Sequence, residues 1–269
     1  MPRLALLLLG VIAPLLACGE PAIDTTGISE GRWAAISRKP KLTLVIDDLG
    51  QSPARDKRVV ALPGPVALAI LPDTPHASEL AEQARKAGKT VMLHMPMAPA
   101  AGPCAWQPEM TSTELLSRLH RALAKVPQAS GVNNHMGSQM TERKQPMETL
   151  MTELQQRHLF FLDSRTTSAT TAAATAQRIG LASLSRDIFL DDDPSPDAVA
   201  AQFRAAIRLA RKQGSVVIIG HPHPSTLSVL ERELPRLKDQ GIEWIEIRQM
   251  IATRGNRAML AHGRHGIYR

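Results

Sequence analysis

The chain has 269 residues, of which 43% are hydrophobic and 21% charged, the balance of a soluble globular protein long enough for one large domain. Its formal net charge is +7, yet aromatic residues make up only 3% and the basic residues are scattered rather than interleaved with stacking side chains. That pattern argues against nucleic acid as a partner and suits a surface that meets anionic envelope polymers or lipid headgroups.

Residues 1–18 carry one basic residue, Arg3, ahead of an apolar run that Gly10 and Pro14 interrupt. The run is shorter than a membrane span and reads as an export signal. It ends Leu15, Leu16, Ala17, Cys18, similar to a bacterial lipobox, so the mature chain is expected to start at Cys18 with acyl chains that hold it on a membrane surface. The expected location is therefore the periplasm or cell envelope. Cys104 is then left alone, and no intramolecular disulfide is possible. Residues 19–40 are polar and aperiodic and read as a tether.

From Lys41 the chain alternates short apolar runs with longer helical segments, the signature of α/β architecture. Strands are predicted over residues 42–47, 66–71, 90–94, 130–133, 159–163, weakly near 182–184, and over 216–220 and 242–247. Helices are predicted between Pro75 and Gly88, from Thr111 to Val126 with Ser112 as N-cap, and from Pro196 to Gln213, where a Pro start and Gly214 stop bound the segment. The Thr/Ala run from Thr166 to Ala176 has helical spacing and reads as a surface helix. Seven or eight such units predict a distorted (β/α) barrel over residues 41–254, with an open doubly wound sheet as the alternative and a basic C-terminal tail over residues 255–269.

In such a barrel the chemistry gathers where strands end. The run KLTLVIDDLG at residues 41–50 leads straight into Asp47 and Asp48. Side chains alternate along a strand, so the two carboxylates share a cleft only where the chain is turning, and Gly50 would permit that. One aspartate can then face a metal while the other stays free as a base. Further strands end in His94, in Asn133, Asn134 and His135, in Asp163 with Ser164 and Arg165, in Ser185, Arg186 and Asp187, and in His221 of GHPHP. A histidine directly after a buried strand stands where a general acid belongs, which favours His221 over His223. The triplet Asp191, Asp192 and Asp193 reads as an acidic entry to the following helix. Met92, Met95, Met97 and Met136 read as packing groups around the cleft.

The motifs IDDLG, LHMPM, NNHMGS, FLDSRTT and IGHPHP, in that order across residues 41 to about 254, resemble the divergent polysaccharide deacetylase family, a branch related to the family 4 carbohydrate esterases. The resemblance implies a distorted (β/α) barrel and a divalent metal, usually zinc, that activates water to remove acetyl groups from an envelope polysaccharide or amino sugar. It implies Asp47 as base, Asp48 and His94 as metal ligands and His221 as acid. Asp163 and Arg165 correspond by order to residues that orient the base and hold substrate. The related superfamily carries a second histidine four residues after the first, and here that place is Ala98. A hydrolytic zinc site needs three protein ligands, and His135 is the expected third. The alternative reading is a non-catalytic glycan-binding or envelope-scaffolding lipoprotein. Metal-dependent phosphoester hydrolysis is disfavoured because no Gly-rich phosphate cradle is present.

Overall fold

The computed structural model describes residues 39–263, with side chains described through residue 255. The export signal, Cys18, the tether up to residue 38 and residues 264–269 of the basic tail lie outside the described residues. The strands are β1 (Lys41–Leu49), β2 (Val66–Ile70), β3 (Thr90–Met97), β4 (Gly131–Met136), β5 (Phe160–Asp163), β6 (Ser183–Ser185), β7 (Ile188–Phe189), β8 (Ser215–Gly220) and β9 (Glu243–Trp244). The helices are α1 (Pro53–Ala61), α2 (Ala77–Lys86), α3 (Ser112–Lys125), α4 (Ser138–Thr141), α5 (Lys144–Gln156), α6 (Ala172–Ile179), α7 (Pro196–Gln213), α8 (Pro224–Glu233) and α9 (Ile247–Gly263), the last continuing past residue 254. Among the described residues no helix is long and apolar enough to cross a membrane.

All strand pairs are parallel, in the order β6-β5-β4-β3-β2-β1-β8-β7, with β9 beside the first residues of β1. This is the chain order of a barrel cut open at one seam. A doubly wound sheet would reverse direction midway. The seam lies between β6 and β7, and only Arg186 and Asp187 separate them in the chain. The Arg186 amide donates to the Asp163 carbonyl on β5 and the Asp187 amide to the Val217 carbonyl on β8. The backbone itself therefore closes the curl where no ladder forms.

Strand alternation sorts the apolar residues into two layers. Leu42, Leu44 and Ile46 of β1 point outward and pack with Leu68, Leu93, Ile218 and the buried faces of the helices. Val45 points inward and joins Ala67, Ala69, Met92, Phe160, Leu162, Leu184, Val217 and Ile219. Ile245, Ile247 and Met250 belong to this inner cluster as well, and the Thr43 hydroxyl donates to the Ile245 carbonyl at 2.9 Å. The segment running from β9 into α9 thus plugs the N-terminal end of the barrel. Burying Ile245 and Ile247 there is why the strand predicted over 242–247 stops at Trp244. Polar side chains are left to the opposite, C-terminal mouth.

Two local expectations are corrected. The N-cap of α3 is Thr111 rather than Ser112, because Glu114 completes a capping box: its carboxylate accepts from the Thr111 amide at 2.8 Å, and its amide donates back to Thr111 Oγ1. Residues 166–171, read as the start of a helix, form a loop, and the helix begins at Ala172. Their hydroxyls bond elsewhere, Thr166 to the Met136 carbonyl, Thr167 to Glu142 and Thr170 to Asp163, and such bonds compete with helix. The two-residue strand β7 had no apolar run long enough to mark it.

Gly50 fixes where β1 leaves the barrel. It has φ 104°, and a Cβ there would stand 2.2 Å from Thr74 Oγ1. Its amide donates to Asp56 Oδ2 at 3.2 Å, and its carbonyl accepts from the His76 amide. Gly50→Ala is therefore expected to lower stability by about 1–3 kcal/mol, combining the left-handed penalty with the overlap. Urea denaturation checks this as a lower midpoint at unchanged slope.

Candidate active site

Two adjacent aspartates face one cleft because β1 is irregular. Its register against β2 advances three residues, from Ile46 to Leu49, while β2 advances two, from Leu68 to Ile70. The extra residue sits at a bulge where Asp48 adopts φ 56°, so the turn expected at Gly50 already occurs at Asp48. A left-handed conformation costs a residue with a Cβ roughly 1–2 kcal/mol, and the surrounding fold must impose it. Met136 at the end of β4 and Arg165 just after β5 share this conformation, with φ 52° and 51°. Among the described residues, three of the four non-glycine residues with this conformation stand at the barrel mouth; the fourth, His158, precedes β5.

Asp48, His94 and His135 meet there. Asp48 Oδ1 lies 3.2 Å from His94 Nε2 and 2.8 Å from His135 Nδ1, and the two nitrogens are 3.2 Å apart. Ligands about 2.0–2.1 Å from a tetrahedral ion stand about 3.3 Å from one another, so this triangle has nearly the edge lengths of a tetrahedral face. Asp48 Oδ1 is buried and accepts no hydrogen bond with proper geometry, although both imidazoles are within reach. An acceptor orphaned in this way is costly unless a cation takes the place of the missing donor. Burial works to raise the Asp48 carboxyl pKa, but the two imidazoles outweigh it and hold the group well below the usual carboxylate range. The donor set of one carboxylate and two imidazoles fits a divalent ion such as zinc. Ala98 is buried, with its amide bonded to the Trp106 carbonyl and its carbonyl to the Gln139 amide, and contributes no donor side chain.

Asn133, one strand from His94, sets the proton positions. Its Nδ2 donates to Asp47 Oδ1 at 2.9 Å and lies 3.2 Å from Ser164 Oγ, while its Oδ1 is 2.9 Å from His94 Nδ1. An ionised carboxylate only accepts, so the amide NH₂ must face Asp47 and the amide oxygen must face His94. His94 then carries its proton on Nδ1 and turns the Nε2 lone pair toward Asp48 and His135. Asp47 is 1% exposed and ends the inward-facing series Thr43, Val45, Asp47. Burial raises its carboxyl pKa despite His94, His221 and Asn133, which moves it toward the range of a working base.

On the far side, His221 follows β8. Its Nδ1 is 2.9 Å from Asp191 Oδ1 and its amide donates to Asp191 Oδ2 at 2.6 Å, an oxygen that also accepts from the Thr226 hydroxyl at 2.7 Å. Burial alone would lower the His221 pKa, but Asp191, aided by Asp47 and Asp48, pushes it up to about 9. The Phe189 ring stacks beside the imidazole at 5.8 Å. His223 is the residue before α8, and its ring is 6.0 Å from His221.

The structure brings together Asp47, Asp48, His94, His135 and His221. It commits Asp163 elsewhere: its carboxylate accepts from the Arg165 amide at 2.8 Å and the Thr170 hydroxyl at 3.0 Å, securing the loop after β5 with no bond to Asp47. The Arg165 guanidinium is exposed and makes no hydrogen bond or ion pair among the described residues. The orienting roles fall to Asn133 for Asp47 and to Asp191 for His221. Asp191 belongs to a triplet read as a helix entry, a description that holds for Asp193, whose carboxylate accepts from the Ser195 amide at 2.9 Å. The signal for Asp191 was its place directly after the apolar Ile188, Phe189 and Leu190. A cleft of about 330 Å³ lined by Gln51, Asp73, Thr74, Pro96 and His135 among others opens beside this cluster.

Residues 44–251 match the divergent polysaccharide deacetylase family. The chain is 42% identical over 196 residues to the Escherichia coli (strain K12) protein YibQ, described as uncharacterized; the match covers 71% of this chain and 61% of YibQ, less than two thirds of that relative. An uncharacterized protein from Agrobacterium tumefaciens C58 superposes with a TM-score of 0.76 at 20% identity, covering 80% of this chain and 91% of that one. The peptidoglycan deacetylase PdaC from Bacillus subtilis superposes with a TM-score of 0.51 at 12% identity, covering 85% and 98%. At these identities the two structures establish a shared fold.

Asp191 should govern the protonation of His221. In an NMR titration the His221 ring is expected to lose its proton near pH 9, and in Asp191→Asn at a pH well below that, because burial then acts with less opposition. The raised pKa also means that this pair stabilises the fold fully below the unfolded value of about 6.5 and that the contribution fades as pH rises through about 9.

Proposed function

Because the chain belongs to the divergent polysaccharide deacetylase family, we propose that it is a metal-dependent hydrolase that removes acetyl groups from an envelope polysaccharide or amino sugar. The observation that carries this reading is the triangle of Asp48, His94 and His135 flanked by a buried carboxylate, Asp47, and a protonated imidazole, His221. Asp48, His94 and His135 would hold the ion, zinc by donor preference, and Asn133 keeps His94 in the tautomer that leaves Nε2 free to bind. Held by these residues, a divalent ion would supply Lewis-acid chemistry, polarisation of the acetyl carbonyl and a lowered pKa of water.

The remaining work belongs to side chains. Asp47, fixed by Asn133, takes a proton from the attacking water. His221, protonated at neutral pH and held by Asp191, gives its proton to the sugar nitrogen or oxygen as the bond to the acetyl carbon breaks, releasing acetate. The raised pKa of Asp47 and the raised pKa of His221 suit these opposite roles, a base that can receive a proton and an acid that still has one. The chain would meet its polymer at the cell envelope, to which the export signal and Cys18 read from the sequence would deliver and tether it.

Metal analysis and deacetylation assays on the variants separate ligands from proton carriers. His135→Ala is expected to lose the metal, whereas His221→Ala and Asp47→Asn keep it and lose at least about a hundredfold in rate. A fully loaded His135→Ala protein would refute the ligand set. In wild type the rate should fall on the alkaline side as pH passes about 9, where His221 loses its proton, and Asp191→Asn should move that limb toward lower pH.

A further inference from the structure

Beside the acid, where the β6–β7 seam meets the loop after β5, stand two arginines that the hydrolytic scheme does not use. Arg186 is half-buried. Its Nε donates to the Ser164 carbonyl at 2.6 Å and its Nη2 to the Arg165 carbonyl at 2.8 Å, and its guanidinium carbon lies 3.7 Å from the centroid of the Phe189 ring. Those contacts occupy two of five N–H donors, and no carboxylate forms an ion pair with it among the described residues. The nearby acids are engaged or apart: Asp163 is bonded to the Arg165 amide and Thr170, Asp187 pairs with Arg254, and Asp192 acts on Arg186 only at longer range. Burial lowers the Arg186 pKa, Asp192 opposes that shift, and Arg165 lies close enough to add a like charge in the same direction as burial.

Arg165 is the more telling member. A left-handed φ of 51° is unfavourable for a residue with a Cβ, and it is enforced at both ends of the residue, by Asp163 on the amide and Arg186 on the carbonyl. This fixed backbone presents an exposed guanidinium without a partner among the described residues, next to Ser164, whose hydroxyl lies within reach of the amide group that binds Asp47. Arg186 keeps N–H donors uncommitted and Arg165 its whole guanidinium among the described residues, and an anion that meets them gains charge-assisted, fork-shaped hydrogen bonds.

We propose that Arg165 and Arg186 form a subsite for an anionic substituent of the glycan, a carboxylate or a phosphate, so that the polymer recognised is an acidic one. The subsite rests on the deacetylase reading for the identity of the ligand as a glycan. It adds a charge requirement that the metal and the acid–base pair do not impose.

The test is binding rather than turnover. Calorimetry on the full chain carrying Asp47→Asn would compare three N-acetylated amino-sugar oligosaccharides, identical except that one bears a carboxylate, one the matching neutral amide and one a phosphate. At least one charged chain should bind about tenfold or more tightly than the amide. Arg165→Asn, chosen because asparagine tolerates the left-handed backbone, should abolish that preference and leave binding of the amide unchanged. Arg186→Lys should weaken the preference, since lysine keeps a charge but not the fork. Equal binding of charged and neutral chains, no binding of either charged chain, or a preference that survives Arg165→Asn would overturn the proposal. A preference that holds while the metal-loaded wild-type chain deacetylates none of the three oligosaccharides would leave this subsite standing and remove the hydrolase reading.

Discussion

The arrangement at the barrel mouth depends on one amide. Asn133 touches Asp47, His94 and Ser164 of the β5 loop, and it has a single orientation that satisfies both the carboxylate and the imidazole. Because Asp47 can only accept, the amide oxygen is left for His94, and the tautomer of a ring on a neighbouring strand follows. This is a low-tolerance device. A buried polar network stabilises and orients when every member is satisfied and penalises the fold when one is not. Leucine at position 133 would leave a buried carboxylate and a buried imidazole each without its partner.

Asp48 supplies the second constraint. A regular strand would place Asp47 and Asp48 on opposite faces, one in the barrel and one among the helices. The bulge inserts one residue and turns Asp48 back toward the cleft, at the expense of a left-handed backbone. The left-handed backbone, without a bulge, recurs at Met136 and Arg165, so three strand ends carry strain at one rim. The plugged opposite end, filled by Ile245, Ile247 and Met250, shows where rigidity comes from: an apolar interior holds the strands so that their tips can be irregular.

The open seam of the sheet separates the two halves of the residue cluster. Strands β1, β3 and β4 bring the carboxylates, His94 and His135, whereas β7 and β8 bring Asp191 and His221. Between them runs the short β6–β7 link, and Arg186 on that link ties the β5 loop to Phe189 and so to the His221 side. A buried carboxylate whose pKa burial raises, Asp47, and an imidazole whose pKa Asp191 raises, His221, thus share one cleft from opposite sides.

Much of this was legible in the chain. Buried parallel strands are continuous apolar runs, so most of the strands and the helix from Pro196 to Gln213 could be marked from local pattern. Chemistry in a barrel sits at strand ends, so Asp47, Asp48, His94, His135 and His221 could be picked out by position. Tertiary structure decided the rest. The left-handed turn at Asp48 reflects pairing with β2, the roles of Asn133 and Asp191 depend on residues 39 and 30 positions away, and the loop at 166–171 forms because its hydroxyls find acceptors on other elements. Asp163 and Arg165 were placed at the right strand end, but whether they face Asp47 or each other is a matter of side-chain direction after the strand has stopped. Periodicity fixes which face a residue takes only while the backbone stays regular; once the strand ends, the partner across the sheet determines where a side chain points.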